Sequence, residues 1–103
     1  MKNMKPYQEK ILNFLAKIPK GKVATYGQAA KATGTGSPRM VGRVLHNNPD
    51  PKRFPCHRVV FKDGGLAKNF AFGGEKRQRM LLKNEGISFV GNKVDMLKHN
   101  ASN

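Results

Sequence analysis

The run Thr25-Tyr26-Gly27-Gln28-Ala29-Ala30-Lys31-Ala32-Thr33-Gly34-Thr35-Gly36-Ser37-Pro38-Arg39-Met40-Val41-Gly42-Arg43-Val44-Leu45-His46-Asn47 decides the fold class. Thr25 is placed to cap a helix over Tyr26–Thr33 with its hydroxyl. Gly34 is placed to end that helix, because glycine accepts the left-handed backbone that follows a last turn. Ser37-Pro38 is a second helix start, a serine cap with proline at the first helical position. The second helix is expected to reach about Asn47 and to bury Met40, Val41, Val44 and Leu45. Two short helices joined by a glycine-containing turn predict a helix-turn-helix. Arg39 lies in the first turn of the second helix, where the helix dipole disfavours a cation. It is either a solvated surface arginine or a side chain aimed at nucleic acid. Gly42 sits mid-helix at a cost of about 1 kcal/mol relative to alanine. That implies a close approach to its backbone by another helix or by a nucleic-acid strand.

Upstream, Tyr7, Ile11, Phe14, Leu15 and Ile18 recur at helical spacing and predict an amphipathic helix over 7–18, ended by Pro19-Lys20-Gly21. Lys22–Thr25 is an extended connection. Downstream, Asn47-Asn48-Pro49-Asp50-Pro51 is an irregular loop. Val59-Val60-Phe61 reads as a short buried strand and Asp63-Gly64-Gly65 as a turn. A loop over 68–74 carries Phe70 and Phe72, which either stack on a base or pack beneath the loop. A last helix over Glu75–Glu85 is expected to turn Met80, Leu81 and Leu82 inward, with Gly86 as its terminal glycine. Ile87, Phe89 and Val90 should pack back as an extended piece, and residues 98–103 should fray. The expected architecture is mainly helical with a short β-hairpin, a winged-helix-like helix-turn-helix domain spanning 1–103 with an ordered core over about 7–90.

Composition points to an anionic partner. Lys plus Arg number 20 against 6 Asp plus Glu, a formal net charge of +14. Over so short a chain this favours nucleic acid. An anionic membrane surface is the weaker alternative, since no strongly amphipathic basic helix stands out. No apolar run is long enough to span a bilayer, and the first residues do not read as a secretory signal. One cysteine and no signal make a reducing, cytoplasmic setting the expectation.

That cysteine lies in Pro55-Cys56-His57-Arg58-Val59. A single thiol forms no internal disulfide, and a stretch framed by proline and crowded with cations favours reactivity over packing. Cationic neighbours such as Arg58 are expected to draw a thiol toward the nucleophilic thiolate. Zinc needs about four ligands at workable spacing, and Cys56 with His46, His57 and His99 supplies no paired motif. A direct Cys56-His57 dyad is awkward, because adjacent side chains do not face each other on a helix or a strand; a bridging water relieves this. Glu85, a carboxylate in a last helical turn, is either solvated or placed to orient His57. What remains is an activated thiolate beside bound DNA, which suggests alkyl or base chemistry.

From Tyr7 to about Phe89 the chain resembles the O6-alkylguanine-DNA alkyltransferases, specifically their C-terminal DNA-binding and catalytic domain. The carriers are Val23-Ala24-Thr25-Tyr26-Gly27, Arg39-Met40-Val41-Gly42, Asn48-Pro49, Pro55-Cys56-His57-Arg58-Val59 and Asn84-Glu85-Gly86. The resemblance implies a monomeric repair protein without cofactor that acts once, with cooperative binding along DNA left open. It would bind duplex DNA through the minor groove and flip O6-alkylguanine from the stack, as access to the reacting atom requires. It implies Cys56 as alkyl acceptor, His57 as base through a water, Glu85 as its orienting carboxylate and Asn48 as a brace. Tyr26, Arg39, Gly42 and Arg58 would form the DNA-binding set, with Arg39 filling the vacated space and Tyr26 rotating the nucleotide. Tyr26, Val59, Phe70 and Ala71 would line the substrate pocket. The N-terminal domain of many members has no counterpart, and Phe70 stands where tyrosine is common, in a slightly longer loop whose alignment leaves Phe72 as the rival. The alternative within the resemblance is an alkyltransferase-like protein that binds alkylated DNA and flags it without transfer. Such relatives usually replace the cysteine. A basic DNA-packaging protein would explain the charge but not Cys56, His57 and Glu85 together.

Overall fold

The computed structural model describes residues 4–102. The chain runs α1 (Pro6–Ala16), β1 (Ala24–Thr25), α2 (Tyr26–Thr33), α3 (Pro38–His46), a single 3-10 turn (Cys56–Arg58), β2 (Val59–Val60), α4 (Gly74–Asn84), β3 (Phe89–Val90), β4 (Lys93–Val94) and α5 (Met96–His99). The helix starts follow local chemistry. Thr25 accepts from the Gln28 N–H at 3.0 Å while the Gln28 side chain accepts from the Thr25 N–H at 2.9 Å, a reciprocal capping box. Ser37 accepts from the Met40 N–H, with Pro38 opening α3. Gly34 takes a left-handed backbone at φ 66° and closes α2. α1, α2 and α3 pack around Ile11, Leu12, Leu15, Ala29, Val41 and Val44. Ile18 is buried just beyond the end of α1.

The strands add a pairing that the sequence reading lacked. β2 pairs in parallel with β1, Ala24 opposite Val59 and Thr25 opposite Val60. The expected short hairpin is β3–β4, with Phe89 opposite Val94. Along β1 and β2 successive side chains enter different cores, as strand alternation dictates. Ala24 and Val59 join the helical core, whereas Val23 and Val60 join a second one with Leu66, Leu82, Ile87 and Val94.

Three further expectations change. α4 buries Gln78 and Leu82, spaced four apart, while Met80 is 44% exposed. Phe61 turns outward and is 48% exposed, unlike the buried Val59 and Val60 before it. Residues 99–102, expected to fray, are hydrogen-bonded to the body of the fold, and Asn103 lies outside the described residues. His99 is buried, its Nε2 accepting from the Ser88 N–H at 2.9 Å and its Nδ1 lying 3.1 Å from the Gly21 carbonyl. Asn100 and Ser102 hold the Gln28 side chain, and the Ala101 N–H donates to the Val23 carbonyl. The segment thereby extends the backbone pairing beside β1.

The turn after β2 is braced by the hairpin. Gly64 has φ +90°, and a Cβ there would lie 2.5 Å from the Val94 carbonyl oxygen. The Val94 N–H donates to the Gly64 carbonyl at 2.9 Å, and Lys93 meets Asp63 at 2.8 Å. Gly64→Ala must therefore accept both an unfavourable backbone and a collision with main chain. It is expected to lose at least about 2 kcal/mol and to lower the thermal midpoint by roughly 10 °C, measured by circular dichroism. Unchanged melting would show that the turn moves freely away from the hairpin.

Candidate active site and DNA-facing cavity

The Cys56 turn is built by side chains that satisfy backbone which no regular element reaches. Pro55, at φ −72° and ψ 76°, sits at the centre of an inverse γ-turn in which the Cys56 N–H donates to the Phe54 carbonyl at 2.7 Å. Asn48 Nδ2 donates to that same carbonyl at 2.7 Å, and its Oδ1 accepts from the Asp50 N–H at 3.0 Å. Asn48 is buried, so both ends of its amide are committed to shaping the loop. From the other side Gln78 Nε2 donates to the carbonyls of His57 and Val59, at 3.1 and 3.0 Å, and its Oε1 accepts from the Ala67 N–H. Sequence reasoning missed Gln78. Its signal was the four-residue spacing to Leu82, which puts an amide on an otherwise apolar face.

Cys56 is 3% exposed. Burial pushes its thiol pKa up, and hydrogen bonding from Asn48 and nearby backbone only partly opposes this. The resting sulfur is a thiol, not the cation-stabilised thiolate expected from its neighbours. Arg58 explains the difference. Its Nε and Nη2 donate to Glu85 at 2.9 and 2.7 Å, and its Nη1 donates to the Ile18 carbonyl at 2.7 Å. The guanidinium, expected among the DNA-binding residues, is turned inward onto Glu85 and the Ile18 carbonyl.

His57 Nε2 lies 3.0 Å from Glu85 Oε1, within hydrogen-bond reach though off the line an N–H would need. Burial lowers the His57 pKa below its ordinary 6.5, and Glu85 only partly restores it. For Glu85 burial acts to raise the pKa, yet the bonds from Arg58 and His57 together win, and the net shift is downward. At neutral pH the group is therefore a neutral imidazole beside an ionised carboxylate. With Nε2 turned to Glu85, Nδ1 is the nitrogen left to accept a proton.

On its other side Cys56 lines a cavity of about 470 Å³ together with Tyr26, Arg39, Gly42, Phe70 and Ala71. Both helices of the helix-turn-helix and the loop after β2 meet there. Tyr26 is the first residue of α2, brought beside the turn by the β1–β2 pairing. Its phenol pKa is raised by burial and by Cys56, so it stays neutral. Arg39 is exposed at the rim. Among the described residues, its own helix aside, nothing lies within 4 Å of a Cβ placed on Gly42, so none of the other described helices approaches there. Phe70 lines the cavity, while Phe72 stands behind it edge-on, ring centroids 5.9 Å apart. Val59, expected in the pocket, is fully buried in the helical core and does not line the cavity.

Comparisons with known proteins agree with this arrangement. Residues 6–87 match the family model described as 6-O-methylguanine DNA methyltransferase, DNA binding domain. The chain is 41% identical over 85 residues to the methylated-DNA–protein-cysteine methyltransferase of Methanothermobacter thermautotrophicus, covering 82% of this chain and 47% of that protein. It thus spans about half the length of such relatives. Among solved structures it is similar to the Schizosaccharomyces pombe protein Atl1 in complex with damaged DNA containing O6-carboxymethylguanine, at TM-score 0.77 and 28% identity, covering 95% of this chain and 96% of that one. It is also similar to Mycobacterium tuberculosis OGT in complex with DNA, at TM-score 0.73 and 33% identity, covering 82% and 51%. A mainly helical helix-turn-helix domain with its lone thiol at the wall of a helix-lined cavity, matched over residues 6–87, belongs to the 6-O-methylguanine DNA methyltransferase DNA-binding-domain family.

Proposed function

We propose that this chain binds duplex DNA through the minor groove, turns an O6-alkylguanine into the cavity at Cys56, and takes the alkyl group onto the Cys56 sulfur. One observation carries the reading: the thiol lines a cavity shared with both helices of the helix-turn-helix and adjoins His57 and Glu85. In the reaction the sulfur–carbon bond forms as the carbon–O6 bond breaks. The bonding pair leaves on guanine O6, and the purine takes up a proton as it departs. The thiol proton passes through a water to His57 Nδ1, and Glu85 stabilises the imidazolium that results. The thioether is permanent, so each molecule acts once. The raised thiol pKa makes a base necessary, and the lowered His57 pKa makes one available at neutral pH. Asn48 holds the turn, Tyr26 and Arg39 favour the extruded nucleotide, and Phe70 and Ala71 line its pocket. Gly42 leaves open the surface on which a DNA strand can approach. The +14 charge supplies phosphate attraction.

The second reading is recognition of alkylated DNA without transfer. It is favoured by the structural likeness to S. pombe Atl1 in complex with damaged DNA, at TM-score 0.77. Intact mass after mixing with a duplex carrying O6-methylguanine separates the two. The expected result is a gain of one methyl group per chain, abolished by Cys56→Ser while duplex binding persists. Selective lesion binding by the native chain with no mass change would move the protein to the second reading.

Arg39→Ala should slow transfer from duplex by tenfold or more and barely affect reaction with free O6-benzylguanine, which has no stack to leave. Equal losses on both substrates would mean that Arg39 supports the fold or the thiol instead.

The acid limb of the rate follows His57. A base whose folded pKa lies below 6.5 is more than half neutral at pH 6.5 and loses its lone pair as pH falls through the lowered value. Single-turnover transfer should therefore keep more than half of its neutral-pH rate at pH 6.5 and decline below that. A rate already halved at pH 6.5 would contradict a buried neutral His57 as the base.

A further inference from the structure

Beside Tyr26 and Phe70, a third aromatic ring reaches the Cys56 cavity. Phe61 follows β2, lines the same cavity, and is 48% exposed. It is not loosely held. Its N–H donates to the Gly65 carbonyl at 2.9 Å and its carbonyl accepts from the Gly64 N–H at 2.8 Å. Asp63 Oδ1 accepts from the Gly65 N–H, and Gly64 seats against Val94 of the hairpin. The ring lies on Tyr26, with centroids 5.3 Å apart and planes tilted by 35°. Such a pair contributes beyond its buried area, yet half of Phe61 remains in water. A braced turn that presents half a ring at a cavity mouth, against a second ring lining that cavity, has the form of a stacking surface. Phe70, backed by Phe72, supplies a second aromatic pair to the same cavity.

We propose that Phe61 is a further substrate-binding residue, forming with Tyr26 an aromatic wall on which the extruded alkylated purine lies. The proposal rests on the cavity being the lesion pocket. Its ligand class is a planar purine carrying an apolar O6 substituent, which suits ring faces better than hydrogen-bonding groups. Stacking on aromatic side chains is the usual source of affinity for an unpaired base. Because Phe61 belongs to the loop after β2 and not to the helix-turn-helix, its contribution should fall on the extruded base and leave duplex binding alone.

The test is equilibrium binding in the Cys56→Ser background, where no transfer can intervene. Fluorescence anisotropy gives the affinity for a duplex with O6-methylguanine relative to the same duplex undamaged. Phe61→Ala should reduce that preference about tenfold, equivalent to about 1.4 kcal/mol, with undamaged-duplex affinity unchanged. Phe61→Tyr should keep the preference, and Phe61→Leu, apolar but without a ring face, should lose it as alanine does. Thermal melting confirms that each variant is folded, as expected for a half-exposed position. A preference unchanged in Phe61→Ala, or kept in Phe61→Leu, would overturn the stacking role. Equal weakening on both duplexes would make Phe61 a general DNA contact and overturn it as well. If the Cys56→Ser parent shows no lesion preference at all, the reading of the cavity fails, and the Phe61 proposal with it.

Discussion

The Gln78 side chain is the contact on which the site most depends. The chain around Cys56 changes direction within a few residues and cannot satisfy its own carbonyls through a ladder. Gln78, fully buried, donates to the carbonyls of His57 and Val59 and accepts from Ala67. One amide thus ties α4 to the nucleophile turn and to the start of the loop that carries Phe70. Buried carbonyls without partners cost about 1–3 kcal/mol each, so an apolar residue at 78 would loosen three segments together. Asn48 does the same from the other side through the Phe54 carbonyl. Two carboxamides, one on α4 and one just past the end of α3, hold a turn that backbone pairing alone cannot hold.

Burial, not proximity in sequence, sets the charges of the site. Arg58 is two residues from Cys56, yet its donors are spent on Glu85 and on the Ile18 carbonyl. It acts on the thiol only indirectly, by fixing the carboxylate that faces His57. The arrangement keeps both reacting groups uncharged at rest, a thiol and an imidazole, and keeps the one fixed anion paired. A neutral pair avoids the cost of holding an isolated thiolate in an apolar wall.

Features governed by short-range chemistry were legible in the sequence. The Thr25 and Ser37-Pro38 starts and the Gly34 stop depend on neighbours within four residues, and they lie where the residue types require. The amphipathic spacing of α1 identified its buried face, although Leu12 was missed. Cys56, His57, Glu85, Arg39 and Phe70 were singled out by type and position, Tyr26 by the family resemblance, and the fold brings them to one region. What depended on distant partners was hidden. The parallel pairing of Ala24 with Val59 joins residues 35 positions apart, and two-residue strands carry no alternation to read. Gln78 resembled any polar helical residue until its carbonyl partners were known. His99 looked like tail, because the groups that bury it, Ser88 and Gly21, lie in other elements. Arg58 and Val59 were misplaced for a related reason: a five-residue motif fixes which residues occur together but not which way each one points.

The β1–β2 pair also divides the molecule, and the division matters for how the site works. Ala24, Cys56 and Val59 pack with the helix-turn-helix, whereas Val23 and Val60 pack with Leu82, Ile87 and Val94. Cys56 therefore shares a core with the helices that carry Tyr26 and Arg39, so the helix-turn-helix and the sulfur are positioned as one body. The carboxylate arrives from the other side of the seam, at the end of α4, and so does the hairpin that braces the turn presenting Phe61. Arg58 crosses between them, gripping Glu85 with one edge and the Ile18 carbonyl with the other. Cys56 and Glu85 are thus set by different packing surfaces, and the inward-turned Arg58 ties the two together.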